Sequence, residues 1–272
     1  MLEKHDIKLV ILLALSPCIM AASCNNRAPT LDNSWERVLS SCGVSDLQKS
    51  KPLYFGAANK NGVGSIWSKD VTTGDYYPTS QFSDITSQAG IVFNNVVLSC
   101  SGEAKSGIDF SVGVSAKPVI YPVSGEISNA LSTAKSAKVS VESIVEEDAY
   151  WDKFNSAFSA LPADGSIKKG VELNNRVVVG RAWKIKGFHA VLTYQGSDAL
   201  TAKAALDAKV ASASLNVATK LTGDNTLEVS SSDELYVAGV FRKLSPSGVS
   251  AGLSGVSDWE ELPTDAIAGP PR

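Results

Sequence analysis

The sequence predicts an α+β fold in which a mostly antiparallel β-sheet with long hairpins carries two or three packed helices. Two observations support this prediction. Apolar residues alternate with a period of two along much of the middle of the chain, as they do in strands with one buried face. Two short segments instead place apolar residues at helical spacing. Hydrophobic residues make up 44% of the chain and charged residues 19%, a balance that supports a buried core.

The chain opens with the parts of a secretory signal peptide. Lys4 and Lys8 precede the apolar run 9–15, and small residues lead from this run to Cys24. The run is far shorter than the roughly 20 apolar residues that span a bilayer. We therefore predict that residues 1–23 are a signal peptide, with a buried N-terminal helix as the alternative.

The residues before Cys24 resemble the lipobox of bacterial lipoproteins. Residues 22–24, Ala-Ser-Cys, match that pattern, while Ala21 stands where Leu is usual. The resemblance implies a lipid on Cys24, a tether over residues 24–32, and a membrane as partner. Asn25 follows the cysteine where Asp would signal inner-membrane retention, which implies an outer-membrane location in the cell envelope. Ordinary signal-peptidase cleavage directly before Cys24 is the alternative.

The four cysteines fit an exported protein. Cys18 would leave with the signal peptide and Cys24 would carry the lipid, so Cys42 and Cys100 remain as a candidate disulfide. Two buried thiols are the alternative. The sequence contains no CxxC motif and no Cys/His cluster, so no metal site is predicted.

The charge distribution and the absence of certain motifs argue against nucleic acids and phosphate-bearing cofactors as ligands. The net charge is −3 and no block of basic residues is present, which argues against nucleic-acid binding. No glycine loop that would cradle phosphates is present, and no cofactor is predicted.

A helix is predicted to begin at the N-cap residue Asn33, with Glu36 completing a capping box, and to end at Gly43. Its apolar face consists of Trp35, Val38, Leu39 and Cys42. Two short apolar runs follow between residues 52 and 70. Asn61-Gly62 between them is a strong signal for a two-residue hairpin. The run 91–99 is predicted to be a strand that leads into Cys100.

Two regions alternate over a greater length and are predicted to form long hairpins. The first covers roughly 105–145 and the second roughly 173–221. Within the second, the Ala-rich stretch 199–213 also fits a helix, and we favour a strand.

Another helix is predicted over residues 150–161, since aromatic residues recur there at helical spacing. A last strand is predicted at 234–241. The segment 245–272 is rich in Gly, Ser and Pro and is predicted to be a flexible tail. Residues 33–244 would then form a single α+β domain.

The sequence predicts no catalytic residue. His189, the one histidine outside the signal peptide, has no acid beside it. The G-x-S-x-G match at residues 248–252 lies in the predicted tail, with no histidine after it. The S-x-x-K matches at 132–135 and 166–169 lack their partner motifs. The acidic run 146–148 is interpreted as favourable charge before a helix. We therefore predict that the protein is not an enzyme.

Two functions are consistent with these observations. The first is a non-catalytic lipoprotein that binds another component of the envelope, such as a protein partner. The second is a pore-forming or membrane-remodelling protein, because alternating hairpins could refold into a barrel with one lipid face. In layout the chain resembles bacterial gasdermins, which combine a twisted sheet, two extendable hairpins and an acylated cysteine. That resemblance implies an inhibitory C-terminal piece at roughly 245–272 that a protease removes.

Overall fold

The computed structural model describes residues 31–58, 61–70, 72, 76–111, 126–173, 176–196, 198–213, 216–245 and 259–262. The helices are α1 (Leu31–Ser41), α2 (Leu47–Ser50), α3 (Ser83–Thr86), α4 (Gly102–Ser106), α5 (Glu126–Thr133), α6 (Trp151–Ser159), α7 (Ser166–Leu173) and α8 (Asp198–Ala213). The strands are β1 (Leu53–Ala58), β2 (Ser65–Lys69), β3 (Tyr76–Gln81), β4 (Val92–Ser99), β5 (Ile108–Ser111), β6 (Ser136–Ser140), β7 (Ser143–Ala149), β8 (Val177–Lys186), β9 (Phe188–Thr193), β10 (Val217–Gly223), β11 (Thr226–Ser231), β12 (Leu235–Leu244) and β13 (Trp259–Leu262).

The larger sheet is built around two ten-residue strands, β8 and β12, which pair antiparallel. The first two residues of β8, Val177 and Val178, pair with β2, and β2 pairs with β3. The second half of β8 pairs with β7, and β7 pairs with β4. On its other side, β12 pairs with β1 along its first half and with β13 along its second half. Every pairing is antiparallel, which confirms the predicted α+β fold class.

The smaller sheet has five antiparallel strands in the order β10-β11-β9-β6-β5. The chain crosses between the two sheets four times. The first crossing, from β4 to β5, runs through α4, and three short links join β6 to β7, β8 to β9, and β11 to β12. Gly187 is the whole link from β8 to β9. Its φ of +64° lies in the left-handed region, and a Cβ there would lie 2.4 Å from Cγ of Glu142. A glycine is therefore required where the chain changes sheets.

The interior divides into two hydrophobic clusters. One contains the apolar faces of α1, α5 and α8 together with the inner face of the smaller sheet and part of the larger. The other is rich in aromatic residues and lies between α6 and the part of the larger sheet formed by β2, β8 and β12. Among the described residues, no helix is both long and apolar enough to cross a bilayer.

The predicted first helix is present as α1, although it begins at Leu31, two residues before the predicted cap. Asn33 therefore lies within the helix instead of capping it. The predicted apolar face is buried, since Trp35, Val38 and Leu39 are all 0% exposed. Gly43 has a φ of +94° directly after the helix, as expected for a glycine that ends one.

The hairpin predicted at Asn61-Gly62 is wrong, because β1 and β2 do not pair with each other. The loop between them instead lies against the larger sheet. The Gly64 N–H donates to the Val179 carbonyl, and the Val63 N–H donates to the Glu147 carboxylate. These long-range hydrogen bonds outweigh the local turn preference.

The two predicted long hairpins are confirmed only in part. In the first, β5 pairs with β6, with Ile108 opposite Val139; residues 112–125 lie outside the described part of the chain. In the second, 199–213 is helix α8 and not the strand that we favoured. Ala-rich sequence has a high helix propensity, and the helix covers the smaller sheet.

The predicted helix at 150–161 and strand at 234–241 are present as α6 and β12. The tail predicted to be flexible contains a docked strand, since β13 pairs with β12 and Trp259 is 1% exposed. Burial of the Trp259 side chain stabilises this docked strand, and that gain outweighs the conformational entropy that the short segment loses on ordering.

Candidate functional site

The candidate lipidation residue, Cys24, lies outside the described residues, as does the signal peptide. The structure joins the other two candidates, Cys42 and Cys100, by a disulfide. Cys42 directly follows α1 and Cys100 directly follows β4, and each is 5% exposed. The bond therefore fixes the end of the first helix to an edge of the larger sheet, and the chain enters that helix from the predicted tether.

A buried polar network lies across β7, β8 and β12. The Lys184 ammonium is 3.2 Å from Oε1 of Glu147 and 2.8 Å from Oε2 of Glu234. The Tyr236 hydroxyl donates to Glu147 at 3.0 Å, and the Val63 N–H donates to the same carboxylate at 3.2 Å. Glu147 thus accepts hydrogen bonds from Lys184, Tyr236 and Val63, and these bonds offset the free-energy cost of burying its charge.

The network shifts the pKa values of its members in opposite directions. Burial lowers the pKa of Lys184, but hydrogen bonds and charge from Glu234 and Glu147 outweigh burial, and the pKa is raised overall. Burial raises the pKa of Glu234, but Lys184 and Lys186 outweigh it and the pKa is lowered. Burial, followed by the charge of Glu147, raises the pKa of Tyr236. Ion pairs and a protonated phenol are therefore the stable state near neutral pH.

This arrangement of ion pairs and hydrogen bonds favours a structural role for the network over a role in proton transfer. The Glu147 carboxylate accepts three hydrogen bonds from fixed partners, and its side chain is about nine-tenths buried, so the network holds it in place away from solvent. The network holds the loop before β2 against the sheet. Gly62 lies so close to the ring of Tyr236 that a Cβ there would be 2.3 Å from Cζ.

A second charged cluster surrounds Arg181. Its guanidinium lies 2.8 Å from Asp46, 3.4 Å from Asp148 and 3.8 Å from Glu146. Burial lowers the pKa of Arg181, but these carboxylates outweigh it and raise the pKa. The acidic run 146–148 therefore lies in strand β7, paired with basic residues of β8, and its interpretation as charge before a helix is wrong. The acid in the first turn of α6 is Asp152.

The candidate nucleophiles and bases do not converge. His189 lies in β9 directly between Ser140 of β6 and Ser230 of β11, but among the described residues no side-chain hydrogen bond links it to either serine. The S-x-x-K match at 166–169 has both Ser166 and Lys169 exposed at the start of α7. Residues 132–135 span the end of α5 and the turn after it.

The G-x-S-x-G match at 248–252 lies outside the described residues. Within the part of the chain that the structure describes, no group of His, Cys, Asp and Glu residues is placed to hold a metal ion. The prediction that the protein is not an enzyme stays a prediction.

Helix α8 has an unusual pattern for a helix. Its apolar side chains recur at every second position from Leu200 to Val210, with polar residues such as Thr201 and Lys203 between them. Among residues 198–208 of the helix, Ala199 and Leu206 are buried, whereas Leu200 is 60% exposed. The segment is therefore amphipathic as a strand and only weakly amphipathic as a helix.

Strand β4 forms an open edge of the larger sheet. It pairs with β7, and the described residues place no strand on its other side. Val97 is 64% exposed and Val96 38%, and both belong to the few exposed large hydrophobic side chains. Next to the strand, the rings of Phe93 and Tyr150 stack with their centres 4.2 Å apart.

Trp259 of β13 occupies an aromatic socket on α6. Its ring centre lies 5.7 Å from that of Trp151, 5.5 Å from Phe154 and 5.3 Å from Phe158. Arg242 donates to the Trp259 carbonyl at 2.8 Å, and its guanidinium lies 4.7 Å from the ring centre of Trp151. The socket holds the C-terminal segment to the larger sheet.

Sequence reasoning did not identify the buried network or the aromatic socket. Part of a signal for the network was available, because the basic residues Arg181, Lys184 and Lys186 fall in the predicted hairpin 173–221 and the acidic run 146–148 directly follows the predicted hairpin 105–145. The sequence signal for the aromatic socket is weaker, because it consists of a single tryptophan, Trp259, in a polar tail.

Comparisons with known proteins give structural similarity but no sequence match. No family model matches the chain, and no curated protein matches its sequence. Among solved structures, the chain is similar to a bacterial gasdermin from Bradyrhizobium tropiciagri, with a TM-score of 0.37 and 14% identity. The likeness covers 83% of this chain and 90% of that one.

Proposed function

We propose that the protein is an exported lipoprotein, anchored through a lipid on Cys24, whose α+β domain binds another component of the cell envelope without catalysis. The observation that carries the proposal is the disulfide between Cys42 and Cys100. Disulfides persist in oxidising compartments, and export through the predicted signal peptide would deliver the chain to one.

The placement of the disulfide also suits an anchored domain. The tether would lead from Cys24 into α1, and the disulfide fixes the far end of α1 to the sheet. The buried face of α1 adds Trp35, Val38 and Leu39 to the core. A pull on the lipid would therefore be resisted by packing and by a covalent bond.

Metabolic labelling with an alkyne fatty acid tests the anchor. The wild-type chain is expected to take up label and to sediment with membranes, and Cys24→Ser is expected to lose both. Cys18→Ser is the matched control, because that residue would leave with the signal peptide and its loss should change neither result. Label that survives in Cys24→Ser, or that is absent from the wild type, would contradict the proposal.

The second candidate function is membrane permeabilisation, and the pattern of α8 favours it. If this segment straightened into a strand, Leu200 and the apolar residues at every second position after it would form one face, with polar residues on the other. Membrane-spanning barrels have this alternation, with the apolar face toward lipid. The segment lies between β9 and β10, two strands of one sheet.

Dye release from liposomes tests this candidate with two matched variants. Leu200 and Thr201 are both exposed in the helix, so a lysine at either position should leave the folded protein intact. In a membrane strand, Leu200→Lys would place a charge on the lipid face and abolish release, whereas Thr201→Lys would preserve release.

The assay uses the full chain, intact and after cleavage at a protease site inserted between β12 and β13. If neither the intact nor the cleaved chain released dye, the proposal of membrane permeabilisation would be wrong. Equal release from the two lysine variants would show that α8 does not enter the membrane as a strand.

A further inference from the structure

We propose that the open edge of β4 pairs antiparallel with β4 of a second copy of this chain, so that the larger sheet continues across a twofold dimer. The exposed Val97 of each copy would lie directly opposite its counterpart. This inference concerns the protein partner of the domain, which the proposed function leaves unnamed.

The edge strands of the described sheets differ in how they block such pairing. Proteins protect open edges with charges, prolines, short strands and irregularities. Pro78 lies in β3, Lys220 in β10, and Glu260 and Glu261 in β13. β5 has only four residues, and the register of β1 shifts between Tyr54 and Ala58.

Strand β4 has a register shift as β1 does, but it is longer than β5 and lacks the charges or proline of β3, β10 and β13. It has eight residues, Val-Phe-Asn-Asn-Val-Val-Leu-Ser, with no charged residue and no proline. A register shift between Asn94 and Val96 makes its first half irregular. From Val96 to Ser99 the pairing with β7 is regular, and that half carries the two exposed valines. Residues 96–99 therefore present backbone N–H and C=O groups along the open edge, and a second strand can form hydrogen bonds with them.

Charge favours an identical strand as the occupant. Two copies of β4 bring no charged side chains together, so self-pairing meets no like-charge repulsion. The acids one strand further in are already paired within the chain, Glu146 and Asp148 with Arg181, and Glu147 with Lys184. A partner strand selected by charge would find no opposite charge on this edge.

A register centred on Val97 makes the pairing self-complementary. Val97 lies opposite Val97, and Val96 opposite Leu98, so apolar side chains meet on both faces of the sheet. The disulfide at Cys100 holds the end of the strand, so little order is lost on pairing.

The symmetry also fits a shared membrane. A twofold axis relating two strands of one sheet is perpendicular to that sheet, so the same face of both copies points the same way. Helix α1 packs on one face of the larger sheet, with Trp35, Ile144 and Trp183 in one core. Both tethers would leave on one side, an argument that rests on the proposed lipid anchor.

Disulfide trapping of the full chain tests the dimer. Antiparallel partners have Cα atoms about 4.5 to 5.5 Å apart, within the range that a disulfide bridges. Val97→Cys is therefore expected to give a covalent dimer on a non-reducing gel. Leu200→Cys, at a position of similar exposure in α8, is the matched control and is expected to stay monomeric. Dimers from both variants, or from neither, would overturn the proposal.

Sedimentation gives a second test that does not depend on a new cysteine. The wild type should associate, Val97→Lys should weaken association at least tenfold because two lysines would face each other, and Val97→Thr should retain it. A monomeric wild type would overturn the proposal. The proposal would also be overturned if the Val97→Lys chain associated normally but was released from membranes. That result would indicate that the open edge of β4 contacts lipid and not a second copy. Both tests are repeated in Cys24→Ser, where trapping should persist even if fatty-acid labelling fails.

Discussion

The ammonium group of Lys184 lies 3.2 Å from the carboxylate of Glu147, and both side chains are about nine-tenths buried between β7, β8 and β12. A buried ion pair contributes little net stability, but the loss of one partner leaves the other charge uncompensated. The pair therefore makes the centre of the larger sheet sensitive to single substitutions.

Lys184→Met is expected to lower the free energy of unfolding by about 3 kcal/mol, because Glu147 would remain buried without its cation. Urea unfolding measures this change. Lys186→Met is the control, since Lys186 is 43% exposed and pairs at the surface with Glu234. Its loss should cost less than about 1 kcal/mol. Equal losses in the two variants would contradict the assigned role of Lys184.

Stability is expected to fall in acid through Glu234. Its pKa is lowered from the ordinary value of 4.5, since the opposing effect of burial is outweighed by Lys184 and Lys186. A carboxyl with a lowered pKa in the folded state stabilises the fold above its unfolded pKa. That stabilisation is lost as pH falls through the folded pKa, so it should fade below pH 4.5.

Glu234→Gln checks this assignment. The variant should be less stable than the wild type at neutral pH, and the difference should shrink as the pH falls below 4.5. Thermal unfolding across a pH series measures both chains. A difference that stays constant across the series would show that the carboxylate charge is not the cause.

Trp259→Ala is expected to cost about 3 to 5 kcal/mol and to release the C-terminal segment. The reason is that the ring fills the aromatic socket and is 1% exposed. Glu260→Ala is the control, because Glu260 is exposed in the same strand and its loss should have little effect. Unfolding curves measure stability, and limited proteolysis shows whether the segment has come loose. Equal behaviour of the two variants would indicate that the socket does not hold the strand.

Replacement of Cys42 and Cys100 by serine is expected to lower stability by about 4 kcal/mol, the chain-entropy value for a loop of this length. The two cysteines are 58 positions apart in the sequence. Unfolding of the double variant, compared with the wild type under oxidising and reducing conditions, measures the effect. A reductant should destabilise only the wild type, and a reductant that destabilises both equally would show that the disulfide is not responsible.

Some of this protein followed from its sequence alone. The fold class, the buried face of α1 with Trp35, Val38 and Leu39, and helix α6 all follow from the spacing of apolar side chains. The pairing of Cys42 with Cys100 was one of two alternatives after counting cysteines in a chain for which an export signal is predicted. These features are readable because they depend on local periodicity and composition.

Other features were decided only by the tertiary structure. The loop at Asn61-Gly62 is held by hydrogen bonds to distant strands, so its local hairpin signal does not determine its pairing. The segment 199–213 alternates like a strand but is Ala-rich like a helix, and packing against the smaller sheet favours the helix. The Lys184 network, the open edge of β4 and the socket for Trp259 each depend on strand order. Strand order arises from contacts between distant residues, and no local pattern in the sequence specifies them.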